Sequence, residues 1–174
     1  MKIICSLFKI LLFSASPIIS QPIPNFTGHT LNQKQLTFPL DMKGKLTILC
    51  FATSLKSQNY LQTWLDPIYQ KYIAKTGIMD EAFDVNVYFI PILKTNSRHI
   101  QENIQRQFSD NTPYELRSHV VFSDSPAEPL IAELKLSDES LPYIYLLDKN
   151  GNIIYKTSGA YTEDKFDAID DLIE

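Results

Sequence analysis

The hydrophobic pattern of this chain consists of short, nearly continuous apolar runs and one long periodic stretch. Leu46 to Ala52 (LTILCFA) is apolar at every position but Thr47, which predicts a strand buried on both faces, because a half-exposed strand would alternate. From Tyr60 the apolar positions Tyr60, Leu61, Trp64, Leu65, Ile68, Tyr69, Tyr72 and Ile73 recur at i, i+1, i+4 and i+5. That is the stripe of an amphipathic helix. Pro67 lies inside it and is expected to kink it, since the ring removes a backbone donor and crowds the preceding turn. Val85 to Ile92 is rich in β-branched and aromatic residues and predicts a second strand. Asn96 or Ser97 can then cap a helix carrying Ile100, Ile104 and Phe108.

Further along, His119 to Phe122 predicts a short strand and Ala127 to Lys135 a short helix with Leu130, Ile131 and Leu134 inward. Tyr143 to Leu147 and Asn152 to Lys156 flank Asp148-Lys-Asn-Gly151, the pattern of a hairpin. Thr162 can cap a last helix with Phe166, Ile169, Leu172 and Ile173 on one face. Near the start, Leu36 to Leu40 reads as a short edge strand after an extended entry containing Pro22 and Pro24. Strands and helices alternate and end in a hairpin and a helix, which implies an α/β sandwich on a mixed sheet.

The first twenty residues follow another logic. Lys2 precedes Ile3, Ile4, Leu7, Phe8 and the run Ile10 to Phe13, and the small residues Ser14, Ala15 and Ser16 follow, in the order of a secretory signal peptide. Lys9 interrupts the run and Pro17 closes it, short of the roughly 20 apolar residues a membrane-spanning helix requires. The expectation is a signal over 1–20, cleaved before Gln21, and one domain over 21–174 in the periplasm or outside the cell. A signal retained as a membrane anchor is the alternative; once cleaved, the chain keeps no stable membrane span. Loss of Lys2 and Lys9 leaves 14 basic against 20 acidic residues and a formal charge of −6, which argues against nucleic acid as a partner.

Cysteine count changes the picture more. Cys5 leaves with the signal and Cys50 remains as the single thiol, so an internal disulfide is excluded even in a compartment that permits one. Paired-cysteine metal sites are excluded too, and His29, His99 and His119 are scattered along the chain. Neither a cofactor nor a bound metal is expected.

Pro24-Asn25-Phe26, the segment Met42 to Thr53 and the stretch Ser140 to Tyr155 (SLPYIYLLDKNGNIIY) together resemble the thioredoxin-like superfamily, most closely its exported thiol-disulfide branch and the peroxiredoxins. The resemblance implies a three-layer α/β sandwich, with a mixed central sheet flanked by helices. It also implies a cis Pro142 that holds the backbone of Leu141 open toward the start of the first long helix. In the redox members a C-x-x-C occupies that helix start, where the helix end stabilises a thiolate. Counted forward from Phe51 the motif would fall at Lys56 to Asn59, and counted back from Pro67 at Asn59 to Gln62; neither window holds a cysteine. The segments Arg117 to Asp124, Ile131 to Leu136, Tyr145 to Asp148 and Ser158 to Thr162 are more weakly similar to the thioredoxin-fold assembly factors of the mitochondrial ATP synthase. Those factors are a precedent for the fold without its redox pair, although the signal peptide speaks against that location.

Two functional readings follow. The first is a non-redox binding or assembly module that holds an extended protein segment in the groove beside Leu141 and Pro142, with Lys56, Ser57, Asn59 and Tyr60 from the facing loop. The second is a thiol-dependent oxidoreductase or peroxidase acting through Cys50. Cys50 lies inside an apolar strand between Leu49 and Phe51, where burial raises a thiol's pKa and makes it inert, so the first reading leads.

Overall fold

The computed structural model describes residues 21–77, 82–95 and 97–174. The expected signal segment and Asn96 lie outside the described residues. Strands β1 (Gln21–Pro22), β2 (Phe26–Thr30), β3 (Gln35–Phe38), β4 (Leu46–Ala52), β5 (Val85–Pro91), β6 (Val121–Ser123), β7 (Tyr143–Leu147) and β8 (Asn152–Ser158) combine with helices α1 (Leu55–Ile68), α2 (Arg98–Asn111), α3 (Ala127–Glu133) and α4 (Glu163–Asp170). Five strands form a sheet in the order β1-β8-β7-β4-β5, and β3-β2-β6 form a second. The two meet where Phe89 of β5 pairs with Val120. Strand β4 runs parallel to β5 and antiparallel to β7, so the sheet is mixed.

The continuous apolar run of β4 is explained by its place at the middle of that sheet. Ile48 and Cys50 face a layer built from Trp64, Ile68 and Tyr72 of the first helix and Ile169 of α4. Leu49 and Phe51 face the other layer, where Leu130 and Leu134 of α3 and its end meet Phe26, Phe38 and Met42. Alternation at period two thus feeds two cores at once. The architecture is the expected three-layer sandwich of a mixed sheet flanked by helices.

Helix α1 begins five residues before the apolar stripe does, at Leu55. Pro67 does not break it. Downstream of the missing donor the helix widens into a single π-turn over Tyr69–Ile73, with the Ala74 amide donating to the Tyr69 carbonyl, a distortion that keeps the backbone bonded. Strand β2 was not foreseen as a strand, and it pairs with both β3 and β6. In the β7–β8 turn Gly151 has φ +88° and lies against Pro39, where an added Cβ would come within 2.4 Å of the proline ring; only glycine fits both demands.

The expectation of a cis Pro142 is corrected. Among the described residues the cis peptide bond is Phe38–Pro39, and Leu141–Pro142 is trans. The trans bond lets the chain enter β7 from a turn closed by the Leu141 amide on the Asp138 carbonyl (3.1 Å) and presents the Pro142 carbonyl to the Gly159 amide (3.0 Å).

Candidate functional site

The central strand ends at Ala52, and the next residues decide what the helix start can do. Ser54 is the N-cap of α1, in extended conformation, and its hydroxyl accepts from the Ser57 amide at 3.1 Å. Ser57 reciprocates: its Oγ accepts from the amides of Thr53 and Ser54, each at 2.9 Å, and donates to the Ser54 carbonyl at 2.9 Å. Amides that a helix start leaves orphaned are therefore satisfied by a pair of hydroxyls one turn apart. Ser57 is completely buried.

This turn is stapled to the segment before β7. The hydroxyls of Ser54 and Thr53 donate to the Glu139 carbonyl at 2.7 and 3.1 Å, and the Glu139 carboxylate pairs with Lys94. Beside it, the side chain and then the amide of Ser140 hold the Asp138 carboxyl below the usual carboxylate range, Lys56 adding a smaller attraction. Farther along α1, the Trp64 indole donates to the Gly159 carbonyl at 2.9 Å, and the Gly159 amide holds Pro142. Helix α1 thus positions Pro142 from both ends.

The six residues expected at the site divide accordingly. Ser57 belongs to the cap, Pro142 is buried at the entry of β7, Leu141 is half-buried beside it, and Lys56 is exposed on the first turn. Asn59 and Tyr60 are exposed on α1, and no side-chain hydrogen bond ties either to the Glu139–Pro142 segment. Both windows counted for the missing motif begin after the residue that caps the helix. The pair of positions that caps the helix is Ser54 and Ser57, two to five residues upstream. A Ser-x-x-Ser spacing directly after an apolar strand is a capping signal that could have located it.

Cys50 pairs in register with Ile144 and Phe89 and is fully buried. Desolvation raises its pKa far above the ordinary thiol value, so the thiolate that redox or peroxidase chemistry needs is suppressed. Among the described residues no three His, Cys, Asp or Glu side chains are grouped to hold a metal ion, and no helix is long and apolar enough to cross a membrane.

A feature the sequence reading missed opens beside the capped turn. A cleft of about 400 Å³ separates α1 from the end of α2. Leu61 and Leu65 form one wall, Phe108 and Leu116 the other, and Phe89 with Val120 the floor. Leu55, 79% exposed, stands at its mouth.

A βαβ unit followed by an antiparallel hairpin and helix, with the central strand running into a capped helix start opposite a proline, defines a thioredoxin-fold protein. The chain belongs to the ATP10 family, whose model, described as ATP10 protein, matches residues 19–173. Solved structures agree on the fold. A putative protein disulfide isomerase from Bacteroides thetaiotaomicron is 18% identical, with 89% of this chain and 87% of that one covered at a TM-score of 0.55. An exposed thioredoxin lipoprotein of Streptococcus pneumoniae is 15% identical, covering 85% and 99% at 0.57. BsSco, a member of the Sco family of cytochrome c oxidase assembly proteins, is 16% identical, covering 90% and 94% at 0.57. No curated protein matches the sequence.

Proposed function

We propose that this ATP10-family chain is an exported, non-redox binding or assembly module that holds an extended segment of a partner protein on the face formed by the start of α1 and the entry to β7. The observation that carries the reading is the helix start itself: hydroxyls of Ser54 and Ser57 occupy its capping positions, and the one described thiol is buried in the sheet. Hydroxyls at these positions satisfy the backbone but cannot exchange with a disulfide. The family match and the likeness to an assembly protein of the Sco family support a role in handling other proteins.

The test has two arms. Wild type and Cys50→Ala are each expected to be inactive in insulin reduction and in peroxide consumption; turnover that disappears with Cys50→Ala would replace this reading with the thiol enzyme. In the second arm a photoreactive residue at Lys56 is expected to cross-link to protein in the exported fraction. One at Asn150, in the turn at the opposite end of β7, should not. Equal labelling from both positions would sink the assignment of the face. Export itself is checked by the intact mass from the native host, which should lack residues 1–20.

A further inference from the structure

We propose that the cleft between α1 and α2, which meets the start of α1 at Leu55 and Gln58, continues the proposed binding face, and that it receives an extended, apolar and uncharged segment of the partner. This rests on the binding-module reading above and names the place and chemistry of what is bound.

The lining fixes the charge of the occupant. Although 21% of the chain is charged, the cleft is lined by aliphatic, aromatic and carboxamide side chains with a threonine and a proline, and by no charged residue. A charge entering it would lose hydration and meet no counter-charge. The apolar floor and walls instead reward aliphatic or aromatic side chains. Helix α2 leaves the surface unfinished: none of its residues is buried, and Ile100, at the start of its apolar stripe, is 48% exposed.

The rim fixes the conformation. Gln58 and Gln62 stand on the α1 side, Gln107 and Asn111 on the α2 side. The carboxamides of Gln58, Gln62 and Gln107 have no hydrogen-bond partner among the described residues. The Asn111 side-chain nitrogen donates to the Gln107 backbone carbonyl at 2.7 Å and leaves its own oxygen free. Each carboxamide can donate and accept, as a peptide group does. Residues i and i+4 on a helix are separated by about 6 Å along its axis, close to the roughly 6.6 Å at which a strand repeats its backbone groups on one side. A bound helix would have its backbone groups already satisfied within itself and would leave these carboxamides without a role. A small apolar molecule suits the cleft less well, because ligand pockets bury about 70–90% of what they hold and this cleft is partly open to solvent.

The experiment titrates isotope-labelled protein with the end-blocked peptide Gly-Ser-Leu-Val-Phe-Leu-Ser-Gly and follows backbone and side-chain amide resonances by NMR. Saturable shifts are expected in the side-chain amides of Gln58, Gln62 and Gln107. Binding should weaken roughly tenfold or more for a peptide N-methylated at alternate residues, which keeps the side chains but loses backbone donors. A similar loss is expected when valine and phenylalanine are replaced by glutamate and lysine, and for Leu55→Asp and Gln62→Glu, both at exposed positions that leave the melting temperature unchanged. Undiminished binding of the N-methylated peptide, or equal shifts with decanol, would overturn the extended-segment assignment. Shifts centred on Leu141 and Tyr143 would overturn the groove while leaving the binding-module reading standing, and absence of binding would overturn the proposal. Thiol-dependent turnover, scored separately, is the outcome that removes the parent reading.

Discussion

Helices α1 and α2 each follow a parallel strand of the same sheet and each has 14 residues, yet they are held in opposite ways. Helix α1 is fixed at every level: a reciprocal serine cap, Trp64 and Ile68 fully inside the core, and an indole bond to Gly159. Helix α2 begins at Ser97 without a side-chain cap and buries no residue. Its attachment runs through Phe108, whose ring meets Phe122 edge-on at 5.3 Å, and Ile104 on the same face. The difference separates scaffold from surface. The start of α1 is a hydrogen-bonded anchor, while the looser neighbour leaves apolar area exposed.

Breaking the anchor should give the largest effect. Trp64→Ala removes a wholly buried ring and orphans the Gly159 carbonyl, for an expected loss of about 3 to 5 kcal/mol in urea unfolding. A loss below about 1.5 kcal/mol would mean that α1 is not the clamp described.

The core beneath α1 can be tested through pH. Burial pushes the Cys50 thiol up, so the folded chain keeps that proton where the unfolded chain, with an ordinary thiol near pKa 8.5, releases it. The unfolded state then binds fewer protons, and stability falls as pH rises. By pH 9.5 wild type should have lost about 1.4 kcal/mol more, relative to pH 7, than Cys50→Ala does. Parallel pH profiles for the two proteins would show the thiol to be solvated.

Removing the cap is a change of similar size. Ser57→Ala deletes the Oγ that serves the Thr53 and Ser54 amides and should cost about 1 to 2 kcal/mol. Ser57→Cys combined with Ser54→Cys should form an intramolecular disulfide under mild oxidation, because the two Oγ atoms already lie 3.2 Å apart. Failure of that bond to form would show that the two positions do not present their side chains to each other.

What the sequence revealed and what it hid follow one physical rule. Strands β4 and β7 were legible residue for residue, Leu46–Ala52 and Tyr143–Leu147, because burial on both faces writes itself as an unbroken apolar run. The start of α1 was hidden because its first turn is held by hydroxyls and carries no inward apolar residue before Leu61. Strand β2 was hidden for a similar reason: Phe26-Thr-Gly-His-Thr30 has one large apolar side chain, and its pairing depends on neighbours distant in sequence. The isomer of Pro142 was not legible from the residues, since cis and trans differ by only about 0.5 to 1 kcal/mol before the surrounding hydrogen bonds decide. At the site, the resemblance pointed to Leu141, Pro142 and the loop residues Lys56, Ser57, Asn59 and Tyr60, but the cleft depends on how α2 lies against α1, and no local pattern encodes a packing defect.

The smallest expected effect is the sharpest test of the comparison. Ile100→Ser changes an apolar residue on α2 that is already about half exposed, so its stability cost should stay within about 0.5 kcal/mol. The same helix should nevertheless open more readily than α1, because local opening free energies follow burial and α2 has no buried side chain to restrain it. Native-state hydrogen exchange should therefore find α1 amides from Leu61 to Ile68 exchanging only near the global unfolding free energy, while those of α2 exchange through smaller openings. Addition of the apolar peptide should slow α1 by the free energy of binding, because a ligand of the native state raises the cost of global unfolding, and should slow α2 wherever its smaller openings release the peptide. If α2 is as protected as α1 in the free protein, its surface is already complete and the cleft has no need of an occupant.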